Sequence, residues 1–189
     1  MLTPLLIIGA VVAVLYFWYA NIIGKRNKAL EALSTIDVQL KMRLDLVPNI
    51  LKIAKKFMEH EKALLTEITA LREKASANYD RSQKEAVKEH LAAAEELDSK
   101  INQLMVQVEN YPDLKSDATM VHAMQTYNEV EAQISAARRF YNSAVTALNN
   151  AVQIFPGNVL ANMAGVQQMP FFEAPEGVTE PVDADKYLG

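Results

Sequence analysis

The sequence predicts an all-α protein, in which an N-terminal transmembrane helix is followed by an elongated antiparallel three-helix (to four-helix) bundle. Residues 1–24 carry no charged side chain and are almost all apolar. Residues 25–155 contain no glycine, and their only prolines are Pro48 and Pro112, so residues that end helices are rare there. Apolar residues recur in this region in steps of three and four, which is the spacing of one helical face.

The apolar N-terminal segment is long enough to cross a membrane once. A helix over residues 5–23 would be about 28 Å long, against a hydrocarbon core of about 30 Å. Aromatic rings at the end of such a segment favour the headgroup level, and basic side chains behind them extend into water. The predicted anchor residues are Leu5, Leu15, Trp18, Tyr19, Lys25 and Arg26.

Two alternatives to a membrane span are a buried core helix of a soluble protein, which would have a polar face that this segment lacks, and a cleavable signal peptide. Signal peptides usually begin with basic residues and end in small residues, whereas nothing charged precedes Leu5. The one plausible cut, after Ala20, would follow the bulky Trp18 and Tyr19. We therefore expect the segment to be retained, and the basic residues on its C-terminal flank predict an N-terminus outside and a bundle on the cytoplasmic side.

The first helix of the bundle is predicted over residues 30–71. Pro48 lies inside its apolar stripe, removes a backbone donor and disfavours α geometry at Val47, so we expect a kink or a short break there. The polar residues 76–82 are the predicted first turn. Three apolar stripes joined by short turns are buried by packing against one another, which predicts the bundle.

The second and third helices have clearer ends. The second is predicted over residues 83–110, where seven apolar positions form a heptad-like seam, and it ends before Pro112. The third begins at a cap formed by Ser116 or Asp117 and extends to Phe155, a length of about 55 Å. Pro156 and Gly157 stop it, and a short fourth helix is expected near residues 159–163.

These elements divide the chain into an anchor (residues 1–24), a helical bundle (residues 25–165) and an acidic, proline-containing tail (residues 166–189). The net charge of −4 belongs to the tail, because five acidic residues and one lysine follow Pro156 and the rest of the chain is balanced. A balanced bundle has no long-range field that attracts nucleic acid, so no nucleic-acid partner is expected. Cysteine is absent, which excludes disulfides and thiolate metal sites.

No residue pattern predicts catalysis or cofactor binding. His60, His90 and His122 lie on different predicted helices and have charged neighbours, which is unlike a tri-histidine metal site. The sequence has no His-Glu-x-x-His pair, glycine-rich phosphate loop or nucleophile on a strained turn. We therefore predict no enzymatic activity, no catalytic, metal or cofactor-binding residue, and no small-molecule substrate.

Two groups of residues are candidates for interaction or helix register. Asparagine recurs after seven residues in Tyr141-Asn142 and Leu148-Asn149, close to Arg138. These side chains either form buried hydrogen bonds that set helix register or line a groove for a partner. Phe171 and Phe172 open the tail and are interpreted as its anchor, on the bundle or on a neighbouring subunit, with disorder expected after Pro175.

Several of these segments together resemble the LemA family of bacterial membrane proteins. The matching residues are 36–49, 108–115 (Val-Glu-Asn-Tyr-Pro-Asp-Leu-Lys), 134–138, Tyr141, Asn142, Val145, Asn149, 155–156 and 172–173. Leu148 departs from the family's usual aromatic, no tryptophan lies near Ile36, and residues 126–131 also diverge. The resemblance implies a single-pass protein of the bacterial cytoplasmic (inner) membrane with a helical-bundle domain and no established reaction.

Two functions follow as hypotheses. The first is a non-enzymatic, membrane-anchored helical scaffold or interaction protein that is held in membrane lipid and self-assembles laterally, as a homo-oligomer or with other membrane proteins. The second is an accessory or adaptor factor for a membrane enzyme such as a membrane protease. The single anchor, the long bundle and the absence of catalytic motifs favour the first.

Overall fold

The computed structural model describes residues 2–173, and this part of the chain is helical with no β-strand. Its helices are α1 (Leu2–Ala54), α2 (Lys62–Ala75), α3 (Lys84–Val108), α4 (Pro112–Lys115), α5 (Ala118–Gln153) and α6 (Gly157–Met163), with a 3-10 turn at Glu59–Glu61. The all-α bundle prediction is confirmed. The acidic tail beyond residue 173, including the disorder expected after Pro175, lies outside the described residues.

Helix α1 links the apolar segment to the bundle without a break. It continues as α-helix through Gly24, so the predicted boundary between anchor and bundle lies inside one helix. Its N-terminal part contains a window with a mean hydropathy of 2.2, of which 6% is buried against the rest of the protein. By length and composition, this is the one helix in the described part of the chain that could cross a membrane.

A kink or short break was predicted at Pro48, and the helix is not broken there; its first break follows Ala54. Helix α1 runs through Pro48 and ends at Ala54, and α2 then folds back along α1 so that Arg72 lies beside Leu44. The stretch predicted as one helix over residues 30–71 is therefore two antiparallel helices. The reversal at residues 55–61 has no proline or glycine, and its Met58 side chain is fully buried in the core.

Helix α1 tolerates Pro48 because another residue replaces the missing donor. In an α-helix the backbone N–H of residue 48 would bond the carbonyl oxygen of residue 44, and proline has no N–H. Arg72 Nε on α2 donates to the Leu44 carbonyl oxygen at 3.0 Å. The same hydrogen bond satisfies the orphan carbonyl and fastens α2 to α1.

We expect the contribution of Arg72 to depend on Pro48. Arg72→Ala should destabilise the protein by about 1–3 kcal/mol, because it leaves a half-buried carbonyl without a donor. In a Pro48→Ala background the helix supplies its own N–H, so Arg72→Ala should cost measurably less. Urea unfolding of the four proteins in detergent gives the coupling free energy; equal costs in both backgrounds would contradict this account.

The bundle is built from two helix pairs. Helix α1 packs chiefly against α5, and α2 packs against α3. Helix α5 begins at Asp117, one of the two predicted caps, whose carboxylate accepts the backbone N–H groups of Thr119 and Met120 at 2.9 and 3.0 Å. Since α2 covers only the far end of α1, the bundle has four long helices away from the apolar segment and three near it.

The core divides into two apolar clusters along the bundle. The cluster nearer the apolar segment is contributed mainly by α1 and α5 and extends from Ile22 to Phe172. The farther cluster includes Met58 and the buried faces of α2 and α3. Helix α6 folds back against α1 and α5, and the predicted short fourth helix is therefore present.

Candidate functional site

A group of polar side chains, three of them buried and Glu131 partly exposed, lies where α1, α3 and α5 meet. We call Arg43, Asp98, Tyr127 and Glu131 the polar core; they come from α1, α3 and α5. Arg43 is 2% exposed, and its guanidinium donates to Glu131 Oε2 at 3.0 Å and to the Ala94 carbonyl oxygen at 2.6 Å. The same guanidinium lies 3.3 Å from Asp98 Oδ1. The Arg43 guanidinium therefore links the three longest helices, α1, α3 and α5.

Burial and neighbouring charges raise the pKa values of two groups in the polar core. Burial raises the pKa of the Glu131 carboxyl, and the nearby negative charge of Asp98 adds to the effect, against the attraction of Arg43. Burial also raises the pKa of the Tyr127 hydroxyl, which donates to Asp98 Oδ1 at 2.7 Å. These groups bind one another, so they hold the helices in register and orientation.

A second polar group lies on the side of the bundle nearer the apolar segment. We call Asp37, Tyr79, Arg81 and His90 the Asp37 cluster. Asp37 Oδ1 accepts the Tyr79 hydroxyl at 2.8 Å and lies 3.4 Å from His90 Nε2, while Asp37 Oδ2 lies 2.6 Å from Arg81 Nη2. The rings of Tyr79 and His90 stack with their centroids 4.0 Å apart. The cluster fastens the loop between α2 and α3, and the start of α3, to α1.

The Asp37 cluster predicts a specific dependence of stability on pH. Burial alone would raise the pKa of Asp37, but hydrogen bonds from His90 and Tyr79 and the charge of Arg81 outweigh it and lower the pKa below 3.8. The charged carboxylate therefore stabilises the fold above pH 3.8, and this stabilisation is lost as the pH falls through the lower native value.

The test compares the wild type with Asp37→Asn. The difference between their free energies of unfolding should have its maximum value well above pH 3.8. It should decrease as the pH falls below 3.8. Chemical unfolding followed by circular dichroism at a series of pH values measures this difference. A difference that stays constant through the acid range would show that the carboxylate charge is not responsible.

The chain after α6 runs back along α5 as an extended segment. We call residues 165–173 the strap. Gly165 has a φ of 63°, a left-handed conformation that favours glycine, and here the Val166 N–H bonds the Ala161 carbonyl oxygen at 2.9 Å. This turn reverses the chain and places the strap on the bundle. Part of the segment predicted as tail therefore packs against the helices.

The two recurring asparagines both bind the backbone of the strap. Asn142 donates to the Phe172 carbonyl oxygen and accepts the Phe172 N–H, each at 2.9 Å. Asn149 forms the same pair of hydrogen bonds with Met169, each at 3.0 Å. Between them, the Tyr141 hydroxyl donates to the Pro170 carbonyl oxygen at 2.8 Å. Their partners are in the strap of the same chain, rather than on another helix.

The two phenylalanines of the strap have different environments. Phe172 is 2% exposed and belongs to the core, whereas Phe171 is 47% exposed. The Arg138 guanidinium lies 4.2 Å from the centroid of the Phe172 ring, within the range of a cation–π interaction. Arg138 also pairs with Glu95 of α3 at 3.4 Å. The Phe172 side chain thus lies against a charged link between α5 and α3.

The predicted anchor residues lie along the first half of α1. Leu5, Leu15, Trp18 and Tyr19 are exposed, and Lys25 and Arg26 are half-buried at the start of the bundle. Exposed large apolar side chains on one helix are compatible with a membrane location. The topology and the membrane involved remain predictions.

The described residues include few groups arranged for metal binding or catalysis. No group of three or more His, Asp or Glu side chains within residues 2–173 could hold a metal ion. His60 and His122 are exposed and distant in sequence from the Asp37 cluster that contains His90. One depression with a volume of 580 Å³ is an open surface feature along α5, beside Val121 and Met124.

Sequence reasoning missed the polar core. Arg43 and Asp98 directly adjoin apolar seam positions of their helices, and a charged residue beside a seam was the available signal. It is a weak signal, because most such residues turn outward. Arg72 carried no signal, since its role depends on a proline 24 residues earlier.

Comparison with known proteins places the chain in a family. A sequence model of the LemA family matches residues 32–185. Protein LemA of Metamycoplasma hominis is 26% identical over 178 residues, which cover 92% of this chain and 78% of that protein.

A second group of relatives consists of magnetosome proteins named MamQ. Magnetosome protein MamQ 2 of Paramagnetospirillum magneticum is 35% identical, and magnetosome protein MamQ of Magnetospirillum gryphiswaldense is 31% identical, each over 80 residues. These matches cover 42% of this chain and 29% of the MamQ proteins. The chain therefore spans less than a third of the MamQ proteins, whereas the LemA family match covers most of it. The chain belongs to the LemA family.

Proposed function

We propose that this protein is a non-enzymatic, membrane-anchored helical scaffold that associates side by side with copies of itself. The observation that supports this most is the continuity of α1, which joins the apolar segment to the bundle through Gly24 as a single helix. A rigid junction holds each bundle at a set angle to the membrane. Copies anchored in one plane then present the same lateral faces at a high effective concentration.

The lateral surface of the bundle carries apolar side chains that fit such an association. Val38 and Met42 lie about one turn apart on α1 and are 51% and 46% exposed. Within the apolar segment, Gly9 and Ala13 form a small-x-x-x-small pair, and an added Cβ at Gly9 would meet nothing within 4 Å. Small residues at this spacing allow close approach of membrane helices.

The proposal of a non-enzymatic role is supported by how the polar groups are used. The side chains of the polar core bind one another between the helices, and Tyr141, Asn142 and Asn149 bind the strap. The names of the family and of the relatives specify no reaction.

Light scattering of the full chain in detergent tests self-association. We expect a particle larger than one chain, and we expect Val38→Glu with Met42→Glu to reduce its mass by placing charges on the contact surface. Val106→Glu is the matched control, because Val106 is 68% exposed on α3, in the other helix pair. A monomeric wild type at high concentration would rule out self-assembly, and an added mass from a different protein would favour an adaptor.

We further propose that the N-terminus lies outside the bacterial cytoplasmic (inner) membrane and the bundle lies in the cytoplasm. Lys25, Arg26 and Lys28 all follow the apolar segment, and short basic flanks stay on the cytoplasmic side. A topology reporter fused after Gly189 should be active only in the cytoplasm. Activity on the outer side would reverse the assignment.

A further inference from the structure

The end of the bundle nearest the apolar segment exposes a group of apolar side chains that the fold does not cover. We call residues 154–163 the elbow; it joins α5 to the strap and contains α6. Its exposed apolar side chains are Ile154 (60%), Phe155 (76%), Val159 (49%) and Met163 (82%). All four lie on one short segment, so covering that segment would remove a substantial apolar area from water.

The elbow lies beside the C-terminal end of the apolar segment of α1. Helices α1 and α5 are antiparallel, and Arg43 in the C-terminal part of α1 pairs with Glu131 in the N-terminal half of α5. Following α5 from there toward its C-terminus leads back along α1 toward Ile22. At Gly157, an added Cβ would lie 3.8 Å from Ile22 Cδ1. Ile22 is the second-last residue of the predicted span of residues 5–23.

The charge distribution fits lipid better than water at this level. Residues 140–172 contain no Asp, Glu, Lys or Arg, so the whole end of α5, the elbow and most of the strap are uncharged. Basic residues lie just farther from the apolar segment. Lys25 and Lys28 are on the next turns of α1, and a cavity of 400 Å³ is lined by the three cations Arg26, Arg81 and Lys84 and by one acid, Glu85. An apolar end followed by a basic rim matches the order of acyl chains and anionic headgroups.

We propose that the elbow inserts into the lipid interface beside the anchor, so that the protein contacts the membrane at two places. The exposed side chains of the elbow would then lie at the boundary between acyl chains and headgroups, as in interfacial helices. The second contact fixes the rotation of the bundle about α1 and determines which lateral face neighbouring copies present. This inference rests on the membrane anchoring proposed above.

Tryptophan quenching by brominated lipids tests this insertion. Trp18 is the only tryptophan of the chain, so a Trp18→Phe background allows one reporter at a time. Met163→Trp and Val159→Trp place reporters in the elbow, and Val106→Trp places a matched control on α3, in the part of the bundle remote from Ile22. The full chain is reconstituted into phosphatidylcholine vesicles with bromine on the upper part of the acyl chains.

We expect Trp18 of the unaltered chain and both elbow reporters to lose emission in brominated vesicles, and the reporter at position 106 to keep it. Quenching of Trp18 without quenching of either elbow reporter would overturn the insertion and leave the anchor intact. A blue-shifted but unquenched elbow reporter would indicate burial against a second copy and would also overturn it. An unquenched Trp18 would overturn the anchoring itself, and the insertion with it.

Discussion

Arg43→Ala should destabilise the protein by about 3–5 kcal/mol, because it removes one partner from a buried charge network and leaves the others uncompensated. Arg43 is 2% exposed and is the only cation within reach of both Asp98 and Glu131 among the salt bridges of the described residues. Urea unfolding in detergent measures the loss. The matched control is Lys41→Ala, on the same helix, whose pair with Asp45 is exposed and should contribute at most about 1 kcal/mol.

The cost of Arg43→Ala should also depend on pH. The pKa of Glu131 is already raised, because burial and the charge of Asp98 outweigh the attraction of Arg43. Removing Arg43 raises it further, so the variant binds protons more strongly when folded, and its stability recovers as the pH falls. A cost that equals that of Lys41→Ala, or that grows on acidification, would contradict the assignment of Arg43 as the charge that holds the polar core.

Phe172→Ala should cause a loss of similar size, about 3–5 kcal/mol, because it empties a fully enclosed position of the core. The substitution also removes the ring that lies 4.2 Å from the Arg138 guanidinium. The cavity cannot close easily, since Asn142 holds the backbone of Phe172 itself and Asn149 holds that of Met169, three residues earlier. Phe171→Ala is the matched control: its ring is 47% exposed, and the change should stay within about 0.5 kcal/mol.

Hydrogen exchange gives a local readout of the same prediction. The backbone N–H groups of Met169 and Phe172 are bound by the side chains of Asn149 and Asn142, so they should exchange slowly in the wild type. Phe172→Ala should accelerate both, and Phe171→Ala should leave both protected. Equal exchange in the two variants would mean that the strap is not held by the burial of Phe172.

The strap also explains why a recurring asparagine was hard to interpret from sequence. The seven-residue repeat places Asn142 and Asn149 on one face of α5, and both side chains form hydrogen bonds there. Their partners, however, are backbone groups 20 and 30 residues later in the chain. Backbone groups carry no sequence signature, so periodicity located the donors but not what they bind.

The Pro48 region shows how a tertiary contact can override a local rule for helix breaking. Proline interrupts a helix when its lost hydrogen bond is not replaced, and the prediction of a kink or break relied on that local rule. Arg72 replaces the bond from another helix, and the chain instead reverses at residues 55–61, where no helix breaker occurs. The reversal places the buried Met58 in the farther core cluster, together with residues of α1, α2, α3 and α5, and packing of this kind is a tertiary effect. By contrast, the Asp117 cap and the α5 end before Pro156 follow from local chemistry, and both were predictable.

Cross-linking in native membranes tests the central claim most directly. The chain has no cysteine, so Met42→Cys introduces a single thiol on the exposed face of α1, and Gln103→Cys gives an exposed control on α3. Lateral self-association predicts that a short thiol cross-linker captures a dimer of this chain through position 42, and much less through position 103. Cross-links exclusively to a different protein, or none at position 42 in intact membranes, would contradict a scaffold that assembles with itself.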